Sequence, residues 1–252
     1  MNQIELAQQL AALHSKGAPL GLYNAWDAGS AKVIAQAGAQ AIGTSSWAMA
    51  AAHGYEDGES IPFALVEMII GRISKSVSIP VTVDVEGGYS ADPHTCATLV
   101  ARLLDVGIAG INIEDRVIDG VGLHGIPEQC ARIAAIRSMA RARNIPLFIN
   151  ARTDVFFGSG IATQEGLATV LARAEAYAAA GASGLFVPGL IDPTMIETLC
   201  NAVTLPINVM VVPGLPEPSA LAAAGVARIS YGPAAYLHAM SAVGLAANSV
   251  LR

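Results

Sequence analysis

With 252 residues, a net charge of −6 and a pI near 5.3, the chain has no electrostatic basis for binding nucleic acid, and no basic stripe stands out along it. Its 53% hydrophobic content and mean hydropathy of +0.50 are ample for a core, yet no uninterrupted apolar stretch approaches the ~18–20 residues of a membrane span. Cys96, Cys130 and Cys200 lie far apart, form no CxxC pair and accompany no secretory signal, which fits a reducing cytoplasm.

In chain order, Met1 to Leu10 reads as an amphipathic helix rather than a signal peptide. Two kinds of strand entry then alternate. Pro19 precedes Leu20-Gly21-Leu22-Tyr23-Asn24, and Ala37-Gly38 leads to Ala41-Ile42-Gly43. Pro80 precedes Val81-Thr82-Val83, and Val106-Gly107 leads to Gly110-Ile111-Asn112-Ile113. Pro146 precedes Leu147-Phe148-Ile149, and Ala180-Gly181 leads to Gly184-Leu185-Phe186-Val187. Pro206 precedes Ile207-Asn208-Val209, and Ala224-Gly225 leads to Arg228-Ile229-Ser230-Tyr231. A proline at the first strand position costs no ladder bond, and a glycine just past a helix is a left-handed stop. Alanine-rich helical segments, such as Pro127 to Arg143 and Thr163 to Ala179, separate the runs. Strand–helix units at this spacing, over residues 1–252, predict one (β/α)8 TIM barrel domain. An open doubly wound sheet is disfavoured, because Tyr23-Asn24-Ala25-Trp26-Asp27 is not a Gly-rich phosphate turn.

In a barrel the strand C-termini share one rim, where active sites form. That rim would carry Tyr23, Asn24 and Asp27, then Ser45, Ser46 and Trp47 with a following loop containing His53, Glu56, Asp57 and Glu59. Next come Asp84 and Glu86, Glu114 and Asp115, Arg152 and Asp154, Pro188, Asn208 and Tyr231. Asp84 and Glu86 sit two apart on one strand, so both should point the same way; Glu114 joins them from the neighbouring strand. Oxygen-only ligands suit Mg²⁺ or Mn²⁺, with one direct carboxylate and the others bound through water. Arg152 could hold a substrate carboxylate or pair with Asp154 or Glu114, or do both. Lys16, Lys32 and Lys75 all fall in helical segments, which disfavours a Schiff-base mechanism. The glycine-rich loop 116–126 has the composition of a mobile lid, and His124 within it is a candidate proton donor.

Taken together, Tyr23-Asn24-Ala25-Trp26-Asp27-Ala28-Gly29-Ser30, Gly43-Thr44-Ser45-Ser46, Asp84-Val85-Glu86-Gly87-Gly88-Tyr89, Asn112-Ile113-Glu114-Asp115, Asn150-Ala151-Arg152-Thr153-Asp154 and Ile229-Ser230-Tyr231-Gly232-Pro233 resemble the isocitrate lyase/phosphoenolpyruvate mutase superfamily. The resemblance implies a barrel whose last helix is swapped between subunits of a homo-oligomer, a tetramer or dimer. It implies Mg²⁺, and cleavage or formation of a C–C or P–C bond beside a 2-oxo or 2-hydroxy carboxylate. By position, Asp84 would be the main metal ligand, with Glu86 and Glu114 acting through water. Asp57 would be the acid bordering the metal, while Ser45, Ser46, Trp47, Arg152 and Asn208 would hold the substrate. The loop after the Glu114 strand lacks the lysine and cysteine of the lyase members, and the Lys-Asn-Ser stretch of the mutase branch is missing too. The expected activity is a Mg²⁺-dependent C–C lyase acting on a small 2-oxo or 2-hydroxy acid, by decarboxylation or retro-aldol cleavage through an enolate. A P–C bond enzyme and a non-catalytic 2-oxo acid binding barrel are the alternatives.

Overall fold

The alternating entries produce the expected strands. In the computed structural model, which describes residues 1–158 and 162–251, the strands are β1 (Leu20–Leu22), β2 (Asn24–Ala25), β3 (Ile42–Thr44), β4 (Val81–Asp84), β5 (Gly110–Glu114), β6 (Phe148–Arg152), β7 (Gly184–Phe186), β8 (Ile207–Met210) and β9 (Arg228–Ser230). They are parallel, in the order β1-β9-β8-β7-β6-β5-β4-β3-β2. β1 and β2 are one run interrupted at Tyr23. The first half pairs with β9 and the second with β3, so the sheet curls back on itself as a (β/α)8-type barrel.

The helices are α1 (Gln3–Ala12), α2 (Ala28–Gln36), α3 (Ser46–Ala52), α4 (Phe63–Ser76), α5 (Pro93–Asp105), α6 (Ile126–Ala142), α7 (Gln164–Ala180), α8 (Pro193–Ala202), α9 (Pro218–Ala223) and α10 (Ala234–Val250). Their ends follow local chemistry. Asp27, Asp92, Thr163 and Asp192 accept backbone N–H bonds as N-caps. Asp27, placed on the rim by sequence, is thus occupied with starting α2. Gly181 ends α7 at φ +104°, a conformation other residues adopt only under strain. Among the described residues, no helix is long and apolar enough to cross a membrane.

Strand alternation sorts the side chains into an outer shell and three inner layers. Val83, Ile111, Ile113, Ile149, Ala151, Leu185, Ile207, Val209 and Ile229 are buried in one apolar cluster with the helices. Inside, the lowest layer is apolar: Leu20, Leu22 and Phe148 meet Ala7 and Leu10 of α1, which stops the N-terminal end of the barrel. The neutral His14 ring stacks on Phe148 at 4.0 Å, and burial, helped by the charge of Arg228, holds its pKa down to about 3.

One step higher along the same strands lies a polar layer. Asn150 donates to Asn112 at 2.9 Å, Arg228 donates to Ser230 at 3.0 Å, and the Ser230 hydroxyl donates to Asn208 at 3.1 Å. Arg228 is fully buried, and burial lowers its pKa to about 9. One step higher again are Asp84, Glu114, Arg152, Phe186, Met210 and Ser230, which line a cavity. The register puts Glu114 beside Arg152 and Met210 beside Ser230. The barrel therefore runs from grease to amides to charge, and the charge faces the open end.

Candidate active site

The cavity holds about 320 Å³ and lies at the strand C-termini. Asp84 ends β4 and is the pivotal acid. Its Oδ2 accepts a 2.8 Å bond from the Ser46 hydroxyl, and its backbone N–H donates to Thr44 Oγ1 at 3.0 Å. Its Oδ1 is buried and accepts nothing. Ser45 caps α3 by accepting from the Ala48 N–H at 3.2 Å, so the first turn of that helix, with Ser46 and Trp47, opens on the cavity.

Glu86 reaches the same wall by a different route from that expected. β4 stops at Asp84, and Glu86 sits beyond it at φ +50°, so strand alternation no longer governs its direction. Its carboxylate accepts the N–H groups of Gly58 at 2.9 Å and Glu59 at 2.8 Å. Glu59, itself at φ +58°, accepts the Tyr89 N–H at 2.7 Å. These reciprocal bonds clamp the 57–59 loop to the end of β4 and bring Asp57 to the cavity. Burial pushes the Glu86 pKa up to about 7, with the charge of Asp84 adding to it, and the same two causes raise Asp57.

Glu114 projects from β5 and is engaged by arginine. Arg152 Nη1 lies 2.8 Å from Glu114 Oε2, while Arg152 Nε and Nη2 contact the two Asp154 oxygens at 2.6 and 2.7 Å. Arg116 approaches Glu114 Oε1 at 3.2 Å. Burial raises the Glu114 pKa, to about 8, against the pull of Arg152. Burial opposes the Arg152 charge, but Glu114 and Asp154 more than offset it and hold the guanidinium firmly protonated. Of the two roles open to Arg152, the ion pairs are present, and its position on the cavity wall leaves room for the other.

Three expected site residues sit elsewhere or do another task. Asn208 is one layer below the floor, where it accepts from Ser230, because it precedes the cavity-facing Met210 by two positions on β8. His124 does not line the cavity: loop 116–126 folds back as a small hairpin bridged at Arg116 and Leu123, returning His124 to the outside of the rim. There its N–H donates to the Asp115 carbonyl at 2.7 Å and its ring lies 3.9 Å from Glu128. Asp115 faces α7 rather than the cavity, accepting from Arg173 at 3.0 Å and the Tyr177 hydroxyl at 2.8 Å. The loop still borders the site through Arg116.

The remaining wall was not legible as a site. Phe157, Phe186, Met210, Val211, Val212 and Pro213 form it, on the side of β6 to β8. These residues look like ordinary core, and only the parity of Phe186 and Met210 with Arg152 along neighbouring strands could have marked them.

Among the described residues, no three His, Cys, Asp or Glu side chains converge closely enough to cage a metal unaided. What the site offers is a buried Asp84 oxygen with neither a hydrogen bond nor an ion pair, beside Glu114 Oε1, which lacks a hydrogen bond but lies 3.2 Å from Arg116, with Asp57 and Glu86 lining the same cavity. An all-oxygen set with a single free ligand fits Mg²⁺, which keeps several waters, and does not fit zinc.

The sequence matches the family model described as phosphoenolpyruvate phosphomutase over residues 10–251. An uncharacterized protein of Mycobacterium tuberculosis strain H37Rv is 34% identical over 238 residues, 94% of this chain and 87% of that one. The 2-methylisocitrate lyase of Escherichia coli K12 is 31% identical over 201 residues, 77% of this chain and 65% of that one. Among solved structures, a Burkholderia cenocepacia J2315 protein provisionally described as a phosphonomutase aligns with a TM-score of 0.95 at 45% identity, covering 98% of this chain and 99% of that one. A phosphonopyruvate hydrolase structure containing oxalate and Mg²⁺ shares the fold, with a TM-score of 0.82 at 24% identity over 96% of this chain and 84% of that one. Barrel, strand-end acids and sequence match agree: the chain belongs to the phosphoenolpyruvate phosphomutase family, within the isocitrate lyase/phosphoenolpyruvate mutase superfamily of lyases and mutases.

Proposed function

We propose that the protein is a Mg²⁺-dependent lyase that cleaves a carbon–carbon bond in a small 2-oxo or 2-hydroxy carboxylic acid. The observation that carries this is the buried, unpartnered Asp84 oxygen at the floor of a strand-end cavity that also holds Arg152 and three further acids. Asp84 would hold the ion directly, with Glu86 and Glu114 acting through water. When bound, the ion polarises the 2-oxo group as a Lewis acid, so that a bond at the next carbon can break with charge collecting on that oxygen.

The chain's own groups divide the remaining work. Ser46 fixes the Asp84 carboxylate. The first turn of α3, around Ser45, Ser46 and Trp47, offers backbone N–H groups to the substrate carboxylate. Arg152 retains one N–H on each terminal nitrogen after pairing with Glu114 and Asp154, and those can meet the substrate. Asp57, whose pKa is raised by burial and by the charge of Asp84, which makes its carboxylate a stronger base, is the group placed to move a proton in the cavity.

The description of the Burkholderia protein favours a second reading, P–C bond chemistry on a phosphonate. A turnover panel separates the readings. Pyruvate or an equivalent 2-oxo acid should form from C–C substrates with Mg²⁺ and not in EDTA. Full activity in EDTA overturns the proposal; phosphate or phosphoenolpyruvate released from phosphonopyruvate selects the second reading; saturable oxalate binding without any turnover marks a binding protein.

The reading includes a homo-oligomer. α10 carries Leu237, Met240, Val243, Leu245 and Val250 at 50, 41, 60, 70 and 76% exposure, an apolar surface that a second copy would cover.

A further inference from the structure

The cavity is chemically two-sided. Asn24, Thr44, Ser46, Asp57, Asp84 and Glu114 face it from one side, and the apolar wall of Phe157, Phe186, Met210, Val211, Val212 and Pro213 faces it from the other. Among the described residues lining it, the cations are Arg116 and Arg152. Arg152 is paired with Glu114 and Asp154, and Arg116 Nε lies 3.2 Å from Glu114, whereas the 210–213 stretch of the apolar wall carries no charged side chain. The Arg152 guanidinium also lies over the rings of Phe157 at 5.0 Å and Phe186 at 5.8 Å. A second carboxylate or a phosphonate pointing at the apolar wall would lose its water without gaining a cation there. A hydrocarbon tail there would instead gain about fourfold in affinity for each methylene it buries.

We infer that the substrate is a 2-oxo monocarboxylate carrying an uncharged, apolar tail. This rests on the reading of the site as one for 2-oxo acids, and it narrows the chemistry. Without a second carboxylate there is no carbon dioxide to lose from the tail side, so the lyase step is retro-aldol cleavage of a 4-hydroxy-2-oxo acid. The 4-hydroxyl gives up its proton and forms the carbonyl of an aldehyde as the C3–C4 bond breaks. The bonding pair passes to C3 as an enolate, which takes up one proton to become pyruvate. One proton leaves and one returns, so a single carboxyl, Asp57, suffices for both transfers. The aldehyde carries the tail away along the apolar wall.

The test begins with calorimetric binding to the Mg²⁺-loaded protein. Oxalate probes the head-group site alone. Pyruvate, 2-oxobutanoate, 2-oxopentanoate and 2-oxohexanoate probe the wall, and 2-oxoglutarate is compared with its isostere in which a terminal isopropyl replaces the carboxylate. Affinity should rise about three- to fourfold per methylene, and the isostere should bind at least tenfold more tightly than 2-oxoglutarate. Val212→Arg, at a half-buried position on the cavity wall, should reverse that last preference. Stopped assays should then find pyruvate and aldehyde in equal amounts from 4-hydroxy-2-oxo acids with alkyl tails. Oxalate binding together with a flat chain-length series, or with tighter binding of 2-oxoglutarate or phosphonopyruvate, overturns the apolar-tail assignment and leaves the head-group reading standing. Failure to bind oxalate with Mg²⁺ overturns both.

Discussion

Asp84→Asn is expected to abolish Mg²⁺-dependent turnover while leaving the fold intact. The amide is isosteric, and its oxygen can still accept the Ser46 hydroxyl. What disappears is the negative charge on a carboxylate that presents a buried oxygen free of hydrogen bonds and ion pairs to the cavity. Loss of a Lewis acid worth roughly 4 kcal/mol lowers the rate about a thousandfold. Oxalate affinity in Mg²⁺ should fall with it. Stability should not fall, because the charge of Asp84 helps push Asp57 and Glu86 toward their neutral forms, and removing it relieves that repulsion. Thermal melts and steady-state rates on the same preparation check both halves. Wild-type turnover in the variant would remove Asp84 from the chemistry.

Asp115→Ala should produce the opposite pattern, a large loss of stability from a residue outside the cavity. Asp115 is fully buried and accepts the Asp154 N–H at 3.0 Å, Arg173 at 3.0 Å and the Tyr177 hydroxyl at 2.8 Å. It thus ties the ends of β5 and β6 to α7. Truncation leaves the buried Arg173 guanidinium, among the described residues, with the His124 carbonyl and the Tyr177 hydroxyl. Breaking a buried pair from one side costs roughly 3–5 kcal/mol, and for a chain of this size that is a fall of about 10 °C in Tm. Arg152 would also lose precision, since Asp154 is held in place by Asp115. A shift under ~1 °C in scanning calorimetry would show the network to be dispensable.

The architecture was legible because it rests on local signals. Pro80, Pro146 and Pro206 each stand just ahead of a strand, and Pro127 to Arg143 was read within a residue of α6. The acids were legible because a carboxylate directly after an apolar run has few places to go but the rim. Legibility ended where geometry departs from period two or where a residue's layer matters. Glu86 lies past its strand in a left-handed turn, Asn208 is one layer too deep, and His124 is carried outward by a hairpin whose glycines suggested a lid. Arg228 stands in the sequence at the head of the run Arg228-Ile229-Ser230-Tyr231. Its parity with Asn112, Asn150 and Asn208 marks it as an interior cation, a pattern visible only once the strands are in register.

The aromatic contacts of α10 link the quaternary level to the chemistry. Tyr236 on that helix meets Trp26 at 5.3 Å and Trp47 at 6.0 Å, and Trp47 belongs to the cavity wall. Whatever steadies α10 therefore steadies the Trp47 indole on the cavity wall. If neighbouring copies provide that support, specific activity will decline on dilution in step with dissociation. Light scattering and rate, measured across the same concentration series, should share one midpoint.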